Sequence, residues 1–508
     1  MSAPYNLGDL IDRSRDLAKV ALIDLGGDGG EVREYTYAAL DRLCSGIARA
    51  LLARGFRRGE RVAILSANRT EYLAAYYGAM RAGIVAVPVN HRFPRERIAF
   101  VLRDAGAKLL FCDRERRHDA SADLPTVVFG DPDAAGFDAF LDPGVFDAVV
   151  PEPGEAAMIL YTSGSTGRPK GVVLSHQSHL WTVQVRMEGH DLAHHRYLIA
   201  APLYHMNALA LSKLACAAHA AIVLMPQFSA PAYVDAIGRY RTTFLTAVPP
   251  MIAMMLRERD RLARIDLSSV EFLRMGSAPA SPGLLAAIAE AMPRARIIHA
   301  YGTTEGGPVV FGPHPDGIPQ PPSSVGYPHR RVALRLADGD NLDAVQGVLQ
   351  MKSPALMSGY HNRPDLAPPF TADGFYVTGD VMRRDEHGFH YFVGRADDMF
   401  VCGGENIYPG EVEKLLETHP DVVQACVVPV GDEIKGQKPV AFCVPRPGTT
   451  PAEAQLREYT LVHGPAYAHP RRIWLVDRLL LGPTGKIDRK GLAALARQRV
   501  GEAAVCVT

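Results

Sequence analysis

The spacing of apolar residues along the chain alternates between that of amphipathic helices and that of short buried strands. Helical spacing over Tyr37–Arg54 is followed by the apolar run Arg61–Leu65, and helical spacing over Arg95–Ala105 is followed by the run Leu109–Cys112. Neighbouring parallel strands need a crossover, usually a helix, between them. The alternation therefore predicts an α/β fold in which helices flank parallel sheets.

The same alternation extends over most of the chain before the pattern changes. Further helices are predicted at Glu71–Ala82, Ala230–Arg239 and Pro282–Ala291, and further strands at Ile84–Val89, Thr243–Val248 and Ala295–His299. Short β runs with turns begin near Val325, and a separate α+β pattern begins near Ala396. We expect an N-terminal domain (residues 1–395) that includes a small β-barrel-like part, and a smaller C-terminal domain (residues 396–508).

Composition excludes several functional classes. The chain of 508 residues is too long for one ordinary core. Apolar residues make up 47% and charged residues 22%, which is typical of a soluble globular protein. Lys plus Arg equals Asp plus Glu at 55 each, so net charge gives no reason to expect nucleic acid or an anionic membrane as a partner.

Cysteine spacing and the apolar runs bear on the compartment. The seven cysteines are scattered singly, which indicates neither a zinc site nor a disulfide framework and fits a reducing compartment. The N-terminal segment lacks the apolar centre of a signal peptide. The longest apolar run, Ala208–Met225, is interrupted by Lys213 and His219, and it predicts a buried helix followed by a buried strand. We expect a cytoplasmic protein without a transmembrane segment.

A glycine-rich stretch is the first candidate for chemistry. Tyr161–Gly171 reads YTSGSTGRPKG, and apolar runs at Ala157–Tyr161 and Gly171–Ser175 predict strands on both sides of it. Glycines let the backbone approach an anion closely, hydroxyls add donors, and Lys170 supplies charge. A Walker loop would instead run straight into a helix. Taken alone, the stretch is either a phosphate-binding loop or a generic glycine-rich loop.

Four further motifs follow in order. They are Tyr301–Glu305 (YGTTE), Phe375–Asp380 (FYVTGD), Gly394–Asp398 (GRADD) and Pro483–Lys486 (PTGK). Together with YTSGSTGRPKG, in this order and at these separations, they resemble the core motifs of the AMP-forming adenylating enzyme superfamily. The resemblance extends from roughly Asp9 to Gly491, and Cys402–Glu413 (CGGENIYPGEVE) is most similar to the acyl- and aryl-CoA synthetase branch.

The resemblance implies an AMP-forming acid–CoA ligase. In that family a carboxylate attacks the α-phosphorus of ATP to give acyl-AMP and pyrophosphate, and a thiol then displaces AMP. A mobile C-terminal domain accompanies the large N-terminal domain. The implied cofactors are ATP, Mg²⁺ and coenzyme A, and the implied substrate is an aryl or fatty carboxylic acid. The alternative is a stand-alone adenylating enzyme that loads a separate carrier protein.

Site residues are carried over by resemblance, position by position. The residues expected at the β- and γ-phosphates are Thr162, Ser163, Gly164, Ser165, Thr166, Gly167 and Lys170. The residues expected around the adenosine are Gly276, Ser277, Ala278, Pro279, Tyr301, Gly302, Thr303, Asp380 and Arg395. Glu305 is implied as the Mg²⁺ ligand, Thr304 as a donor to the α-phosphate, and Lys486 as the bridge between carboxylate and α-phosphate in the first step only.

The acid pocket and the thiol acceptor are less well defined. His205 is implied as a gate to the pocket, and the residues expected to line the pocket are Val185, Asn207, Met275, Ala300 and Gly307. Most of these are small or apolar, which fits an aryl or medium-length aliphatic tail. Asn207 meets either a polar substituent or the backbone. The surrounding PLYHMNAL carries no acidic residue, which argues against an amino-acid substrate.

The remaining implied residues concern rotation of the C-terminal domain and CoA. Asp397 occupies the hinge position, Gly403 and Gly404 are expected to line the thiol channel, and Arg92 is expected near the CoA phosphate. Many relatives carry a lysine where this chain has Ala468, which puts the local CoA contacts in doubt. The choice of acid and a homodimeric state are left open.

Outside the ordered motif set, several of these residues have simpler interpretations. Asp380 alone is typical of a solvated turn, and Lys486 alone of an exposed charge. His205 is otherwise a satisfied core histidine, and Tyr301 a packed core aromatic.

Overall fold

A computed structural model of the chain describes residues 5–26, 30–119, 123–133, 135–162, 169–276, 280, 282–403, 405–482 and 486–505. The chain forms two compact units. Unit one comprises Met1–Ser277, Ala291–Val310 and Lys352–Pro369, and unit two comprises Ala278–Glu290, Phe311–Met351 and Phe370–Thr508. Unit two takes in segments before residue 396, so the domain boundary between residues 395 and 396 stays a prediction.

The strands of the described residues are β1 (Val20–Asp24), β2 (Arg33–Thr36), β3 (Arg61–Leu65), β4 (Val85–Pro88), β5 (Ala107–Asp113), β6 (Thr126–Phe129), β7 (Ala156–Thr162), β8 (Lys170–Ser175), β9 (Arg196–Ile199), β10 (Ala221–Leu224), β11 (Phe244–Ala247), β12 (Phe272–Met275), β13 (Arg296–His299), β14 (Phe311–Gly312), β15 (Tyr327–Pro328), β16 (Ala333–Ala337), β17 (Gln346–Lys352), β18 (Gly359–His361), β19 (Tyr376–Arg384), β20 (His390–Arg395), β21 (Phe400–Cys402), β22 (Glu405–Ile407), β23 (Val422–Asp432), β24 (Gly436–Pro445) and β25 (Ile473–Leu475).

The helices of the described residues are α1 (Tyr37–Ala53), α2 (Thr70–Arg81), α3 (Arg95–Ala105), α4 (Phe137–Phe140), α5 (His176–Met187), α6 (Met206–Ala217), α7 (Ala230–Tyr240), α8 (Pro249–Met255), α9 (Arg259–Leu262), α10 (Pro282–Ala291), α11 (Pro409–Glu417), α12 (Glu453–His463) and α13 (Arg489–Val505). Short 3-10 helices lie at Arg114–Asp119 and Ala396–Asp398.

Unit one contains two seven-stranded sheets. The first sheet has the order β13-β12-β11-β9-β10-β1-β2, and only β2 runs antiparallel to its neighbour. Strands β10 and β11 are buried along their whole length, which is why each is a continuous apolar run in the sequence. The parallel strands β9 to β13 therefore end at one edge of this sheet.

The second sheet of unit one carries the glycine-rich stretch. Its order is β18-β8-β7-β4-β3-β5-β6, with β3 to β7 parallel. Strand β8 runs antiparallel to β7, and β18 runs antiparallel to β8. A buried cluster beneath α3 includes Val87, Ile98, Val101 and Leu110. The sheet thus changes from parallel to antiparallel at the hairpin formed by β7 and β8.

Unit two contains smaller sheets. Strands β16, β17, β19 and β20 form a four-stranded sheet, and β14 and β15 form a two-stranded ribbon. A five-stranded sheet of order β22-β21-β24-β23, with β25 paired to β24, carries α11 and α13 against β23. Its core includes Leu416, Cys443 and Leu456 on one side and Val440, Phe442 and Leu492 on the other.

The predicted α/β class is confirmed. Helices at Arg95–Ala105 and Pro282–Ala291 and the strand at Arg61–Leu65 have the predicted bounds. The apolar run Ala208–Met225 forms most of the buried helix α6 and the buried strand β10, as predicted. Within the described part of the chain, no helix is both long and apolar enough to cross a membrane.

Candidate adenylation site

The edge of the first sheet collects several of the predicted pocket residues. His205 and Asn207 follow β9, Gly276 follows β12, and Ala300 follows β13. The N–H of Ala300 donates to the carbonyl oxygen of the fully buried Met275 at 2.7 Å. In open α/β sheets, ligands bind beyond the carboxyl ends of the strands. The structure therefore brings these residues together where a small molecule is expected to bind.

The glycine-rich stretch joins two antiparallel strands, as predicted. Thr162 at the end of β7 pairs with Lys170 at the start of β8. The hydroxyl of Tyr161 donates to Oδ2 of Asp104 at 2.6 Å, which ties the hairpin to the last turn of α3. The predicted phosphate contacts at residues 163–167 lie outside the described residues. Strand β8 and not a helix follows the stretch directly, so it differs from a Walker loop, as predicted.

Lys170 and Glu305 are connected through an aromatic residue that the sequence analysis did not select. Tyr360 on β18 lies beside β8, and the Nζ of Lys170 is 5.2 Å from the centroid of its ring. The hydroxyl of Tyr360 donates to Oε1 of Glu305 at 3.2 Å. The side chain of Tyr360 therefore contacts both Lys170, the implied phosphate-binding cation, and Glu305, the implied metal ligand. Tyr360 lies outside the recognised motifs, and only the pairing of β18 with β8 identifies it.

A tight turn fixes Glu305. The N–H of Met357 donates to the carbonyl oxygen of Glu305 at 2.8 Å, and the N–H of Gly307 donates to the carbonyl oxygen of Thr303 at 2.9 Å. Gly307 has φ +83, and a Cβ there would lie 2.7 Å from the Cβ of Ala355. Glycine is required at this position because of both its backbone conformation and the close approach. In the same segment Tyr301, Thr303, Thr304 and Glu305 are half-buried, and Gly302 is exposed.

The amide of Asn207 meets side chains rather than the backbone. The Oγ1 of Thr246 on β11 donates to Oδ1 of Asn207 at 3.0 Å, and Nη1 of Arg274 on β12 lies 3.5 Å from the same oxygen. Nη2 of Arg274 also donates to the carbonyl oxygen of Pro308 at 3.3 Å. His205 precedes α6, is half-buried, and places its ring edge-on to Tyr204 at 4.5 Å. Its role as a gate stays a prediction.

Four basic side chains that the sequence analysis did not select lie on α5, α6 and β12 of unit one. Lys213 on α6 is fully buried, and its Nζ lies 3.2 Å from Nδ1 of the fully buried His179 on α5. Arg186 lies on the last turn of α5, next to the buried Val185. We refer to His179, Arg186, Lys213 and Arg274 as the basic cluster. A lysine within the apolar run of α6 and an arginine within the apolar β12 are the only sequence signals for it.

Burial sets the electrostatics of the basic cluster. Together with the charge of Arg186, it lowers the pKa of Lys213 to about 7 and that of Arg274 to about 9. Burial also lowers the pKa of Arg186 and, with the charge of Lys213, holds that of His179 well below its usual range. Among the described residues, no carboxylate forms an ion pair with Arg186, Lys213 or Arg274.

In unit two, the buried carboxylate of Asp380 forms an ion pair with the partly exposed guanidinium of Arg395. They face each other across β19 and β20, and Nη1 of Arg395 donates to Oδ1 of Asp380 at 2.9 Å. Asp380 is only 5% exposed, so it is not a solvated turn residue. Burial alone would lower the pKa of Arg395, but the carboxylates of Asp380 and Asp397 raise it above its ordinary value. Gly379 has φ +73, and a Cβ there would lie 3.0 Å from Nη2 of Arg395.

The other predicted residues of unit two, and Arg92 of unit one, are mostly at the surface. Asp397 is exposed in the short helix after β20, and Lys486 is exposed at the bridge between Leu481 and Ile487. Ala468 is 8% exposed and packs in the core beneath α11. Arg92 is exposed, and its N–H donates to Oδ1 of Asn90 at 2.9 Å. The predicted residues 277–279 and 404 lie outside the described residues.

Comparison with known proteins agrees with this geometry. Residues 13–361 match the family described as AMP-binding enzyme, and residues 411–486 match its C-terminal domain. Sulfoacetate–CoA ligase of Cupriavidus necator is 32% identical over 481 residues, covering 92% of this chain and 93% of that protein. Fatty acid–[acyl-carrier-protein] ligase ScoC of Streptomyces coeruleorubidus is 33% identical over 481 residues, covering 91% and 92%. The solved structure of ATP-bound MatB from Rhodopseudomonas palustris has a TM-score of 0.86 and 26% identity, covering 97% of this chain and 99% of that one.

The chain belongs to the AMP-binding enzyme family. Within that family it falls in the acyl- and aryl-CoA synthetase branch, whose members couple an acid to CoA with AMP formation.

Proposed function

We propose that the protein activates a carboxylic acid with ATP and transfers the acyl group to CoA, and that the motif residues have the roles assigned by resemblance. The observation that carries the proposal is the arrangement of Lys170, Tyr360 and Glu305 beside the glycine-rich hairpin. It places a cation, a hydroxyl and a carboxylate next to a loop rich in small donors. This set of groups suits a triphosphate whose α-phosphorus is attacked by an acid.

The chain's own residues prepare the first step. Lys170 and the hydroxyls of the hairpin bind the leaving pyrophosphate, and Thr304 donates to the α-phosphate oxygen. Lys486 holds the attacking carboxylate and the α-phosphate together in this step. Asp380 accepts from the ribose hydroxyls, and its fixed contact with Arg395 keeps its carboxylate oriented. No general base is needed because the attacking carboxylate is already ionised.

The residues present fit a bound magnesium ion. Glu305 offers a half-buried carboxylate, which is the ligand type that this hard cation takes together with phosphate oxygens. Tyr360 fixes the orientation of that carboxylate through its hydrogen bond. When bound, Mg²⁺ would neutralise charge on the triphosphate.

The acceptor of the acyl group distinguishes this proposal from a second candidate function, the loading of an acyl-carrier protein. The relative named sulfoacetate–CoA ligase supports CoA, whereas the relative named ScoC supports an acyl-carrier protein. We favour CoA because Cys402–Glu413 is most similar to the CoA-ligase branch. Arg92 and Gly403 are proposed to contact CoA, and rotation is proposed to occur at Asp397. We further propose a cytoplasmic enzyme.

The test measures pyrophosphate release with Mg-ATP and a panel of acids, with and without CoA. Turnover that requires CoA and yields an acyl-CoA supports the proposal. A single stoichiometric burst that CoA leaves unchanged, followed by turnover on an acyl-carrier protein, supports the second candidate. No release with any acid contradicts both.

Partial reactions test the role of Lys486. The Lys486→Ala variant should lose pyrophosphate release but should still convert synthetic acyl-AMP and CoA into acyl-CoA. The matched control is Lys490→Ala, four residues further along the chain, which should keep both partial reactions. Equal loss of both steps in Lys486→Ala would contradict a role in the first step only.

A further inference from the structure

The basic cluster lies among the residues proposed to form the acid pocket. Arg274 lies within hydrogen-bonding distance of the amide oxygen of Asn207 and immediately precedes Met275. Arg186 immediately follows Val185 on α5, whose first turn is capped by the hydroxyl of Ser175. The cluster is therefore built by α5, α6 and β12 of unit one around a site where a carboxylic acid is expected.

In the part of the chain that the structure describes, no carboxylate pairs with these cations. The guanidinium of Arg274 donates there to two neutral oxygens, at 3.5 Å to Oδ1 of Asn207 and at 3.3 Å to the carbonyl oxygen of Pro308. These distances are at the long end for N–H···O hydrogen bonds. Burying a charge without an ion-pair partner is costly, and several cations close together repel one another as well. An anion brought in by a ligand would relieve both costs.

The two arginines are accessible, whereas the rest of the cluster is not. Arg186 and Arg274 are half-buried, but Lys213 and His179 have no accessible surface. Burial nevertheless lowers the pKa of both arginines. A ligand would therefore meet the arginines first, with Lys213 behind them.

The depth of Arg274 separates it from the reacting end of the substrate. Arg274 and its neighbour Thr246 lie within β12 and β11, before the strands end. Thr304, proposed at the α-phosphate, lies five residues beyond the last residue of β13. Reaction occurs beyond the strand ends in open α/β sheets. Arg274 therefore faces the part of the substrate that enters deepest.

We propose that the acid substrate carries a second anionic group, a carboxylate or a sulfonate, on the end remote from the reacting carboxylate, and that Arg186 and Arg274 bind it. The proposal rests on the proposed acid-activating function. Guanidinium groups match planar or tetrahedral oxyanions through paired N–H donors. A monoanionic acid with an apolar tail would leave the basic cluster unpaired. The proposal thus adds a second charge to the aryl or aliphatic tail expected from the sequence.

The test compares acids of equal size that differ only in the second charge. Terephthalate is paired with cumate, in which an isopropyl group replaces the second carboxylate, and glutarate is paired with its isopropyl isostere. Pyrophosphate release with Mg-ATP and CoA gives kcat/KM for each acid. We expect the dianionic member of at least one pair to be favoured by about tenfold or more. A preference for the isopropyl member in both pairs overturns this proposal but leaves the ligase function intact. If none of the acids supports pyrophosphate release, both this proposal and the proposed ligase function are overturned.

Variants assign the preference to the arginines. Arg186→Gln and Arg274→Gln should each raise KM for the favoured dianionic acid about tenfold, with less than about twofold change for the monoanionic isostere. Arg257→Gln, at an exposed position of the same unit, is the matched control and should change neither. Equal losses with both acids would overturn the proposal, since they would indicate a structural role.

Thermal denaturation shows whether these variants are folded. Because each substitution removes a half-buried cation that pairs with no described carboxylate, the midpoint of the ligand-free variant should stay equal to or above that of the parent protein. Added glutarate or terephthalate should raise the midpoint of the parent protein and should not raise that of Arg274→Gln. A dianion-induced rise of equal size in Arg274→Gln would overturn the proposed binding site.

Discussion

The hydroxyl of Tyr360 donates to Oε1 of Glu305 at 3.2 Å, while the ring of the same tyrosine faces the Nζ of Lys170 at 5.2 Å from its centroid. One side chain thus positions the proposed metal ligand and contacts the proposed phosphate cation. Its strand, β18, pairs directly with β8 of the glycine-rich hairpin. The hydrogen bond and the ring contact make separate contributions, so a substitution that removes only one of them is informative.

Replacing Tyr360 with Phe should weaken the binding of Mg²⁺ by the enzyme. The ring beside Lys170 remains, but Glu305 loses a neutral hydrogen bond worth about 0.5–1.5 kcal/mol. We expect a roughly threefold to tenfold higher Mg²⁺ concentration for half-maximal pyrophosphate release. Tyr391→Phe is the control, because it removes a similar hydrogen bond to Asp385 in unit two. An unchanged Mg²⁺ titration in Tyr360→Phe would show that the hydrogen bond does not position Glu305 for the metal.

The sequence predicted this region unevenly. The hairpin of β7 and β8 and the position of Glu305 after β13 follow from local apolar spacing and an ordered motif, and both are readable without a structure. The position of Tyr360 cannot be predicted in this way, because its place beside β8 depends on pairing between strands about 180 residues apart. Long-range pairing of a three-residue strand leaves almost no local signal.

The basic side chains near the proposed acid pocket leave little signal in the sequence. Val185 and Met275 are buried, and each is followed or preceded by an arginine that no motif marks. The periodicity of α5 places Arg186 on the same side as His179, seven residues earlier, and only packing against α6 brings Lys213 to that side. The chemistry of the pocket therefore depends on tertiary contacts.

Replacing Asp380 with Asn should weaken ATP binding through the ribose. Asn keeps the shape but removes the charge that the guanidinium of Arg395 contacts at 2.9 Å. We expect KM for ATP to rise about tenfold. The loss of stability should be only about 1–2 kcal/mol, because the Arg395 side chain is 40% exposed and water can solvate it.

Ribose specificity distinguishes this role from a structural one. With deoxyATP, which lacks one ribose hydroxyl, Asp380→Asn should cost clearly less than it does with ATP. Asp373→Asn is the control, because it removes the carboxylate of another Arg–Asp pair of unit two, that with Arg335. Equal penalties with ATP and deoxyATP would place Asp380 away from the ribose.

Replacing Lys213 with Met should stabilise the protein in a pH-dependent manner. Burial, aided by Arg186, lowers the pKa of Lys213 from 10.5 to about 7, and no described carboxylate pairs with it. Between these values the unfolded chain binds one proton more than the folded one. The stability of the folded state therefore increases as pH rises through this range. The destabilisation caused by burying the charged Lys213 is greatest below about pH 7.

The measurement is urea unfolding of Lys213→Met and the parent protein from pH 6 to pH 10. At pH 6 we expect the variant to be more stable by about 2–4 kcal/mol, since each pKa unit corresponds to about 1.4 kcal/mol and Met loses the hydrogen bond to His179. The difference should shrink as pH rises toward 10. Lys108→Met removes an exposed surface pair with Glu60 and should show almost no pH-dependent difference. A Lys213→Met variant that is less stable at pH 6 would show that the lysine has an anionic partner.

Replacing Arg489 with Met should destabilise the C-terminal sheet of unit two. Nη2 of Arg489 at the start of α13 donates to Oε2 of Glu413 at 2.6 Å, and Oε1 of Glu413 accepts from the N–H of Val427 at 2.7 Å. Glu413 is 8% exposed, so the variant would leave a buried carboxylate without its cation, at a cost of about 3–5 kcal/mol.

The expected result for Arg489→Met is a lower unfolding midpoint at neutral pH, because the buried carboxylate of Glu413 loses its cation. Arg497→Met, at an exposed position of the same helix, should leave the midpoint unchanged. Lys486 lies three residues before Arg489, so a loosened start of α13 should also reduce pyrophosphate release more than it reduces acyl transfer from synthetic acyl-AMP. Unchanged stability at neutral pH would mean that water solvates Glu413 once the guanidinium is gone, and that the ion pair does not hold α13 in place.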